Sequence, residues 1–265
     1  MVHLPELEQT VQGVTTNGET SDTIIRFEEV HKSFGSQHIL RGLNFEVKRG
    51  TTVGLMGGSG TGKSVTLRHV IGLLTQDSGR VEVEGFEMSS IKPKDLRELR
   101  LKMGYVFQSG ALINWLTIAE NLALPLEENS DLDREEIDRR VQEKLEMVYV
   151  PEAGPKYPSE ISGGMKKRVA LARALITDPQ IILYDEPNAG LDPQISASIN
   201  KLIRELSDKL GMTGLLVEHR IPCLKTVADE VIFMYEGKAL VREPVASFFK
   251  PTHPLLVDFL GEDAD

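Results

Sequence analysis

A glycine-rich octapeptide near residue 60 has the composition and spacing of a phosphate-binding loop. It reads Gly57-Gly58-Ser59-Gly60-Thr61-Gly62-Lys63-Ser64, after the apolar run 52–56. Glycines let successive backbone N–H groups face one anion, and a helix that follows directs its positive end toward the same anion. Lys63 can then reach the β- and γ-phosphates, and the Ser64 hydroxyl can ligate Mg²⁺. The pattern predicts binding of a nucleoside triphosphate; the alternative is a glycine-rich turn with a chance Lys-Ser.

Two adjacent carboxylates, Asp185 and Glu186, end the apolar run 181–184. Side chains alternate along a strand, so the two carboxylates are expected to point in different directions and to do different work. In P-loop proteins an Asp at this place holds Mg²⁺, directly or through water. The neighbouring Glu is placed to accept a proton from an attacking water. The alternative is a helix-capping pair at a strand–loop junction.

A second helix start suited to an anion is predicted at Ser162-Gly163-Gly164. Ser162 is a good N-cap residue, and the two glycines leave the helix end open to a ligand. Capping alone explains Ser162 but does not explain both glycines so economically. The basic residues at 166–168 are expected to form a solvated face rather than to act as ligands.

The elements that must position these residues alternate between strands and helices. Apolar patterning predicts strands at residues 23–30, 43–47, 52–56, 81–83, 103–107, 181–184, 213–217 and 231–234. Helical patterns run from the P-loop to about Leu74, within 117–148, and at 163–176 and 193–210. The alternation indicates a largely parallel α/β sheet, with phosphate chemistry at the carboxyl ends of its strands. The helical stretch 117–148 resembles a subdomain inserted between core strands.

Composition restricts the class of partner. The formal net charge is −10, which argues against nucleic acid as a direct partner because phosphate binding favours a basic surface. Cys223 is the single cysteine of the chain, so neither an intrachain disulfide nor a cysteine metal cluster is expected. No run of 18 apolar residues predicts a membrane span, and any membrane role is expected to come through another polypeptide. Residues 1–22 do not resemble a secretory signal and are expected to be a mobile tail, with 261–265 a short C-terminal tail.

The P-loop, the Ser-Gly-Gly helix start and the strand 183–186, in this order, resemble the ATPase domain of ABC transporters over residues 23–260. The resemblance implies an ABC-type P-loop ATPase fold with a mainly parallel core sheet, an antiparallel β subdomain and a helical subdomain inserted at about 110–176. It implies ATP and Mg²⁺ as cofactors. It also implies a homodimer in which ATP is sandwiched between the P-loop of one copy and the Ser162 segment of the other.

The resemblance assigns roles to single residues. Phe34 would stack on adenine, the alternative being a core phenylalanine. Gln108 would touch Mg²⁺ and the nucleophilic water, Glu186 would be the catalytic base, and His219 would contact the γ-phosphate. Asp192 would lie in a loop that crosses the dimer interface. The implied metal ligands are Ser64, Gln108 and Asp185.

The chain departs from the family pattern at several of these places. Ile161 and Met165 flank the Ser-Gly-Gly segment, and Ala189 stands where a serine is frequent. Glu218 and Arg220 surround the histidine where a small hydroxyl residue and an acidic residue are usual. A carboxylate at 218 can act on the neighbouring imidazole or tether Arg220, which bears on turnover and its regulation rather than on ATP binding.

The segments 107–112, 116–126 and 253–260 resemble the ATPases of Mla-type phospholipid transporters. This resemblance implies phospholipid transport linked to outer-membrane lipid asymmetry, with a separate permease and an MCE-domain lipid-binding protein. The chain would then lie at the cytoplasmic face of the inner membrane as a peripheral subunit. The apolar residues Leu112, Ile113, Trp115 and Leu116 suit a permease groove or simply pack the subdomain.

Three other functions fit the sequence. One is the ATPase of an amino-acid or ion importer, which differs in cargo alone. Another is a soluble ABC ATPase, such as a scaffold for iron–sulfur cluster assembly. The third is an ATP-binding regulator with little turnover, suggested by Glu218 and Arg220.

Overall fold

The structure is a computed structural model that describes residues 22–261. The predicted tails, 1–22 and 261–265, fall outside this range except for Asp22 and Gly261. The strands are β1 (Thr23–Phe34), β2 (Gln37–Lys48), β3 (Thr52–Met56), β4 (Ser78–Val83), β5 (Phe86–Glu87), β6 (Met103–Val106), β7 (Ile181–Asp185), β8 (Thr213–Val217), β9 (Glu230–Tyr235) and β10 (Lys238–Pro244). The helices are α1 (Lys63–Val70), α2 (Pro93–Leu101), α3 (Ile118–Asn129), α4 (Arg134–Met147), α5 (Gly163–Ala174), α6 (Pro193–Leu210), α7 (Ile221–Val227), α8 (Val245–Phe248) and α9 (Pro254–Leu260).

A six-stranded sheet of order β10-β9-β3-β8-β7-β6 forms the centre of the molecule. Its strands are parallel except β10, which pairs antiparallel with β9. Strands β3 and β8 are buried along their whole length, as expected of parallel strands covered on both faces. The predicted parallel α/β sheet is therefore confirmed.

The core lies on both faces of this sheet. In β7, Ile181 and Leu183 join one apolar cluster together with Leu67 of α1. Ile182 and Tyr184 point to the other face and join a cluster that includes Ile199 of α6. Because alternate side chains of a strand enter opposite clusters, helices on both faces fix the position of the strand ends where the candidate residues lie.

A second, antiparallel sheet of order β2-β1-β4-β5 corresponds to the predicted antiparallel β subdomain. It is joined to the central sheet where the Arg41 N–H donates to the carbonyl of Gly237, at 3.0 Å. This sheet therefore stands beside the strand that leads into the P-loop.

Helices α3, α4 and α5 follow one another between β6 and β7. Thr117 and Glu120 form a capping box at the start of α3, and the Asp133 side chain accepts the Glu136 N–H at the start of α4. The break between α3 and α4 comes at Ser130, so the predicted helical stretch 117–148 is two helices. The extent of the helical subdomain, 110–176, stays a prediction.

Two differences from the expected elements have local causes. Helix α1 ends at Val70 rather than near Leu74, because Gly72 adopts φ +69° and the Leu73 N–H turns back to the Arg68 carbonyl at 2.8 Å. The strand predicted last is followed by β10, α8 and α9, and α7 precedes it. Helix α2, of nine residues, and strand β5, of two, were not predicted either. The missed helices are 4 to 9 residues long, shorter than the stretch over which a helical period is recognised in sequence.

Within residues 22–261, no helix is both long and apolar enough to cross a bilayer.

Candidate nucleotide-binding site

The P-loop lies between the carboxyl end of β3 and the first residue of α1. Gly57, Gly60 and Gly62 have φ of +155°, +79° and +99°, which glycine adopts without strain. A Cβ atom at Gly57 would lie 2.3 Å from the carbonyl oxygen of Met234, and one at Gly62 would lie 2.5 Å from the Leu40 side chain. The curled backbone therefore depends on the glycines that the sequence supplies.

An open cavity of about 430 Å³ lies beside this loop. It is lined by the loop together with Ile39, Val65, Glu186 and His219. The structure thus brings both predicted catalytic residues at positions 186 and 219 to the P-loop. Gly58 and Thr61 of the loop do not line this cavity, and neither do the predicted positions Phe34, Gln108, Ser162–Gly164, Asp185 and Asp192.

Lys63 is held over the loop rather than extended into solvent. Its Nζ donates to the carbonyls of Gly57 and Gly58, both at 2.7 Å. Burial lowers the pKa of Lys63, and the nearby carboxylates of Glu186 and Asp185 act in the opposite direction. The ammonium group therefore lies where a phosphate chain on the loop would meet it.

Ser64 and Asp185 form the oxygen-rich part of the site. The Ser64 hydroxyl donates to Asp185 Oδ1 at 2.9 Å, and the Tyr105 hydroxyl donates to Oδ2 at 3.1 Å. The described residues contain no cluster of three His, Cys, Asp or Glu side chains that could hold a metal. A hydroxyl and one carboxylate nevertheless fit Mg²⁺, which commonly binds through one or two carboxylates and completes its shell with phosphate oxygens and water. Tyr105 was not predicted from the sequence.

Glu186 comes directly after β7 and faces away from Asp185. Its backbone is left-handed, with φ +47°, and its N–H donates to the Val217 carbonyl at 2.9 Å. The two carboxylates have different partners, as expected. The left-handed turn at Glu186 contributes to this separation in addition to strand alternation. Glu186 Oε2 accepts the Gln108 Nε2–H at 3.1 Å, and Oε1 lies 3.6 Å from His219 Nδ1. One oxygen of the Glu186 carboxylate thus bonds the Gln108 amide, and the other lies near the His219 imidazole. Gln108 contacts Glu186 but does not itself line the cavity.

Glu218 is buried, with 1 % of its surface exposed. Its Oε1 accepts the backbone N–H groups of His219 and Arg220, at 2.9 and 3.1 Å. The Arg220 guanidinium instead donates to the Leu191 carbonyl and the Ser196 hydroxyl. The expected tether between Glu218 and Arg220 therefore exists only at the backbone.

The Ser162 helix start and Asp192 perform capping roles within the chain. Ser162 Oγ accepts the Met165 N–H at 3.3 Å, and Asp192 Oδ1 accepts the Ile195 N–H at 2.9 Å. Ser162 and Gly163 are exposed, and a Cβ atom at Gly164 would lie 2.9 Å from the Ile195 side chain. Ser162 and Gly163 are therefore open to solvent, while Gly164 packs against Ile195.

Lys167 corrects the expectation of a solvated face at 166–168. It is buried, and its Nζ donates to the backbone carbonyl of Gln108 at 2.5 Å. Arg173, one and a half turns further along α5, donates to the carbonyls of Gly110 and Ala111. Positions 164, 167, 171 and 174 are all buried, so the helical spacing of small and apolar residues could have placed Lys167 on the inner stripe.

Phe34, at the end of β1, is 45 % exposed, and Lys32 Nζ lies 5.6 Å from its ring centre. The alternative of a core phenylalanine is therefore wrong, and stacking on a base stays a prediction.

The apolar segment before α3 divides into a packed and an exposed part. Trp115 is 80 % exposed, whereas Leu112 packs against the core. Asn121 holds the segment by donating to the carbonyls of Ile113, Leu116 and Thr117. Nearby, a cavity of about 400 Å³ lies between α2, β6, α3 and α5 and is lined by residues that include Arg97, Tyr105 and Phe107.

Comparison with protein families and curated proteins gives several matches. A family model described as "ABC transporter" matches residues 40–189. The protein TRIGALACTOSYLDIACYLGLYCEROL 3, chloroplastic, of Arabidopsis thaliana is 39% identical over 92% of this chain and 75% of its own length. Methionine import ATP-binding protein MetN 1 of Pseudomonas fluorescens is 38% identical over 91% of this chain and 73% of its own length.

Solved structures agree with these matches. A dimeric post-hydrolysis state of the ATP-binding cassette MJ0796, bound to ADP and Pi, has a TM-score of 0.76 and 31% identity, covering 84% of this chain and 99% of its own. The cbiO1 protein of Clostridium perfringens, part of the ABC transporter complex cbiONQ, has a TM-score of 0.80 and 30% identity. It covers 87% of this chain and 92% of its own.

Proposed function

The chain belongs to the ABC transporter family of ATP-binding domains, and from this premise we propose that it is the ATPase subunit that drives a separate membrane permease. The chain is an ATPase whose nucleotide is ATP, with Mg²⁺ as the usual partner ion. The observation that carries the proposal is the meeting of Lys63, Glu186 and His219 around one cavity beside the P-loop. A binding module without turnover has no need of a carboxylate and an imidazole at that place.

The proposed chemistry is attack of water on the γ-phosphate of ATP. Glu186 orients the water and accepts its proton, while Gln108 donates to the second oxygen of the same carboxylate. Lys63 and the P-loop N–H groups offset the charge on the transferring phosphoryl group, and His219 contacts that group from the other side. Ser64 and Asp185 would hold Mg²⁺, with Gln108 beside them, and the ion would neutralise phosphate charge.

The proposed active form is a homodimer with two ATP molecules between the copies. Its support is that the Ser162 helix start is exposed and does not line the cavity of its own chain, so it would face the P-loop of a second copy. The dimeric cassette bound to ADP and Pi is consistent with this arrangement. Phe34 and Asp192 would contribute at the nucleotide base and at the dimer interface.

A Glu186→Gln variant tests the catalytic part of the proposal. The amide keeps the size of the side chain but cannot accept the proton, so hydrolysis is expected to fall about 10²- to 10⁴-fold while ATP affinity is retained. Phosphate release and nucleotide titration measure the two quantities. Wild-type turnover would contradict the assignment of Glu186 as the base.

The proposed cargo is phospholipid, with an MCE-domain lipid-binding protein as a further partner and the cytoplasmic face of the inner membrane as the location. Support comes from the likeness of residues 107–112, 116–126 and 253–260 to Mla-type ATPases. The name of the Arabidopsis relative also contains a glycerolipid. The exposed Trp115 and the adjacent cavity would receive the permease.

Import of an amino acid is the second candidate, because the name of the Pseudomonas relative specifies methionine import. Purification of the intact membrane complex through a tag on this chain separates the two. Mass spectrometry of co-eluting molecules is expected to find phospholipid and a lipid-binding companion. Methionine-stimulated ATPase activity of the complex, with no retained lipid, would favour the importer.

A further inference from the structure

We propose that Glu218 is a positioning residue that acts through His219. This inference rests on the proposed contact of His219 with the γ-phosphate. Glu218 is the first residue after β8, and its buried carboxylate accepts the backbone N–H groups of the next two residues of the chain. Its Oε1 also lies 3.5 Å from His219 Nδ1.

Two carboxylates therefore face one ring nitrogen. Nδ1 of His219 is 3.5 Å from Glu218 Oε1 and 3.6 Å from Glu186 Oε1, and both distances are longer than an established hydrogen bond to nitrogen. A carboxylate oxygen accepts a hydrogen bond, so the proposed role requires Nδ1 to be the nitrogen that carries the proton. Nε2 is then the nitrogen left for the terminal phosphate, as the partner of one ring nitrogen sets the role of the other.

The two acceptors compete for the Nδ1 proton, and only Glu218 is fixed in place. The backbone N–H groups of His219 and Arg220 hold Glu218 Oε1, and burial prevents the side chain from turning away. Glu186 lies in the open cavity, and its hydrogen-bond partner is the exposed Gln108 amide. Glu218 therefore draws the Nδ1–H toward itself and leaves Glu186 Oε1 free to accept a proton from water.

The buried carboxylate is what distinguishes position 218 from the small hydroxyl residue usual there. A small hydroxyl residue at position 218 would provide neither the charge nor the reach to Nδ1.

A double-mutant cycle of Glu218→Gln and His219→Gln tests the inference. The Glu218→Gln amide oxygen can still accept both backbone N–H groups, so the melting temperature is expected to stay close to that of the wild type. The kcat for ATP hydrolysis is expected to fall about 10-fold, with little change in KM. In the His219→Gln background, Glu218→Gln is expected to have no further effect on kcat, because the residue through which it acts is gone.

The control is Ser196→Ala, which removes a partner of the Arg220 side chain in the same turn but leaves His219 untouched. It is expected to leave kcat unchanged. Equal losses of kcat from Glu218→Gln in both backgrounds would overturn the inference and leave the proposed function intact. An unchanged kcat in His219→Gln alone would instead remove the role of His219, and the inference with it.

A second measurement does not depend on mutant folding. Nitrogen-15 spectra of the full chain labelled at histidine, recorded where the His219 ring is neutral, are expected to show the proton on Nδ1. A proton on Nε2 would overturn the proposal.

Discussion

Lys63 is the residue on which nucleotide affinity is expected to depend most. Its ammonium group bonds two loop carbonyls at 2.7 Å and lies at the mouth of the candidate cavity. Burial lowers the pKa of Lys63, and the neighbouring carboxylates Glu186 and Asp185 act in the opposite direction. A phosphate chain would add further anionic partners to this group.

Lys63→Ala is expected to weaken ATP binding about 10- to 100-fold, since a hydrogen bond to a charged group contributes about 1.5–3 kcal/mol. Titration with a fluorescent ATP analogue measures the dissociation constant. Lys166→Ala is the matched control, because Lys166 follows the other helix start and does not line the cavity. Equal affinities of Lys63→Ala and the wild-type chain would refute the assignment of the loop.

At the scale of elements, helix α5 is bonded to the loop that carries Gln108. Lys167 and Arg173 donate to three backbone carbonyls of that loop, at positions 108, 110 and 111. The Gln108 side chain in turn donates to Glu186. A displacement of α5 is therefore transmitted through one loop to the proposed catalytic base.

Lys167→Met is expected to loosen this loop without unfolding the chain. Methionine fills a similar volume and avoids the cost of burying a charge, but the Gln108 carbonyl loses its donor. Amide hydrogen exchange in residues 107–112 is expected to rise, and kcat to fall, while the melting temperature changes little. Unchanged exchange at these residues, with Lys166→Met as the control, would contradict the transmission through α5.

Gly104 sets the distance between β6 and α5. A Cβ atom at this position would lie 2.4 Å from the Ala174 carbonyl oxygen at the end of that helix. Gly104→Ala is expected to lower the free energy of unfolding by about 1–3 kcal/mol, because the strand and helix must move apart. Chemical denaturation measures the effect. In Gly154→Ala the new Cβ would be 3.6 Å from its nearest neighbour, so no comparable loss is expected there.

At the scale of the whole molecule, one chain holds two helix starts suited to an anion but only one of them lines the cavity. A second copy would supply the other, and trapping ATP should make this association visible. Glu186→Gln with ATP and Mg²⁺ is expected to elute at twice the monomer mass when light scattering follows gel filtration. ADP is not expected to have this effect.

Adding Gly163→Asp to that variant is expected to abolish the dimer, because a carboxylate at the exposed helix start repels phosphate. Gly163 has room for a side chain, since its nearest neighbour to a Cβ atom is Leu191 at 3.7 Å. A dimer that forms equally well with Gly163→Asp would show that Ser162 and Gly163 do not contact the nucleotide.

The P-loop, the parallel α/β sheet and the positions of the candidate catalytic residues along the chain could all be predicted from local patterns of residues. These follow from local rules, since glycine spacing, apolar runs and alternation act within a few residues. The short helices α2, α7, α8 and α9 and the strands β5 and β10 carried too little periodicity to be found in this way.

Which side chains contact one another became known from the packing of the elements. The contact of Tyr105 with Asp185, the bond of Lys167 to the Gln108 carbonyl and the approach of His219 to Glu186 join residues from separate elements. Burial and pairing depend on how helices cover the sheet. Helical spacing could place Lys167 on the inner stripe of its helix, but which backbone carbonyl it bonds depends on the packing of separate elements. The physical reason is that local pattern fixes elements, whereas long-range packing fixes the environment of each side chain.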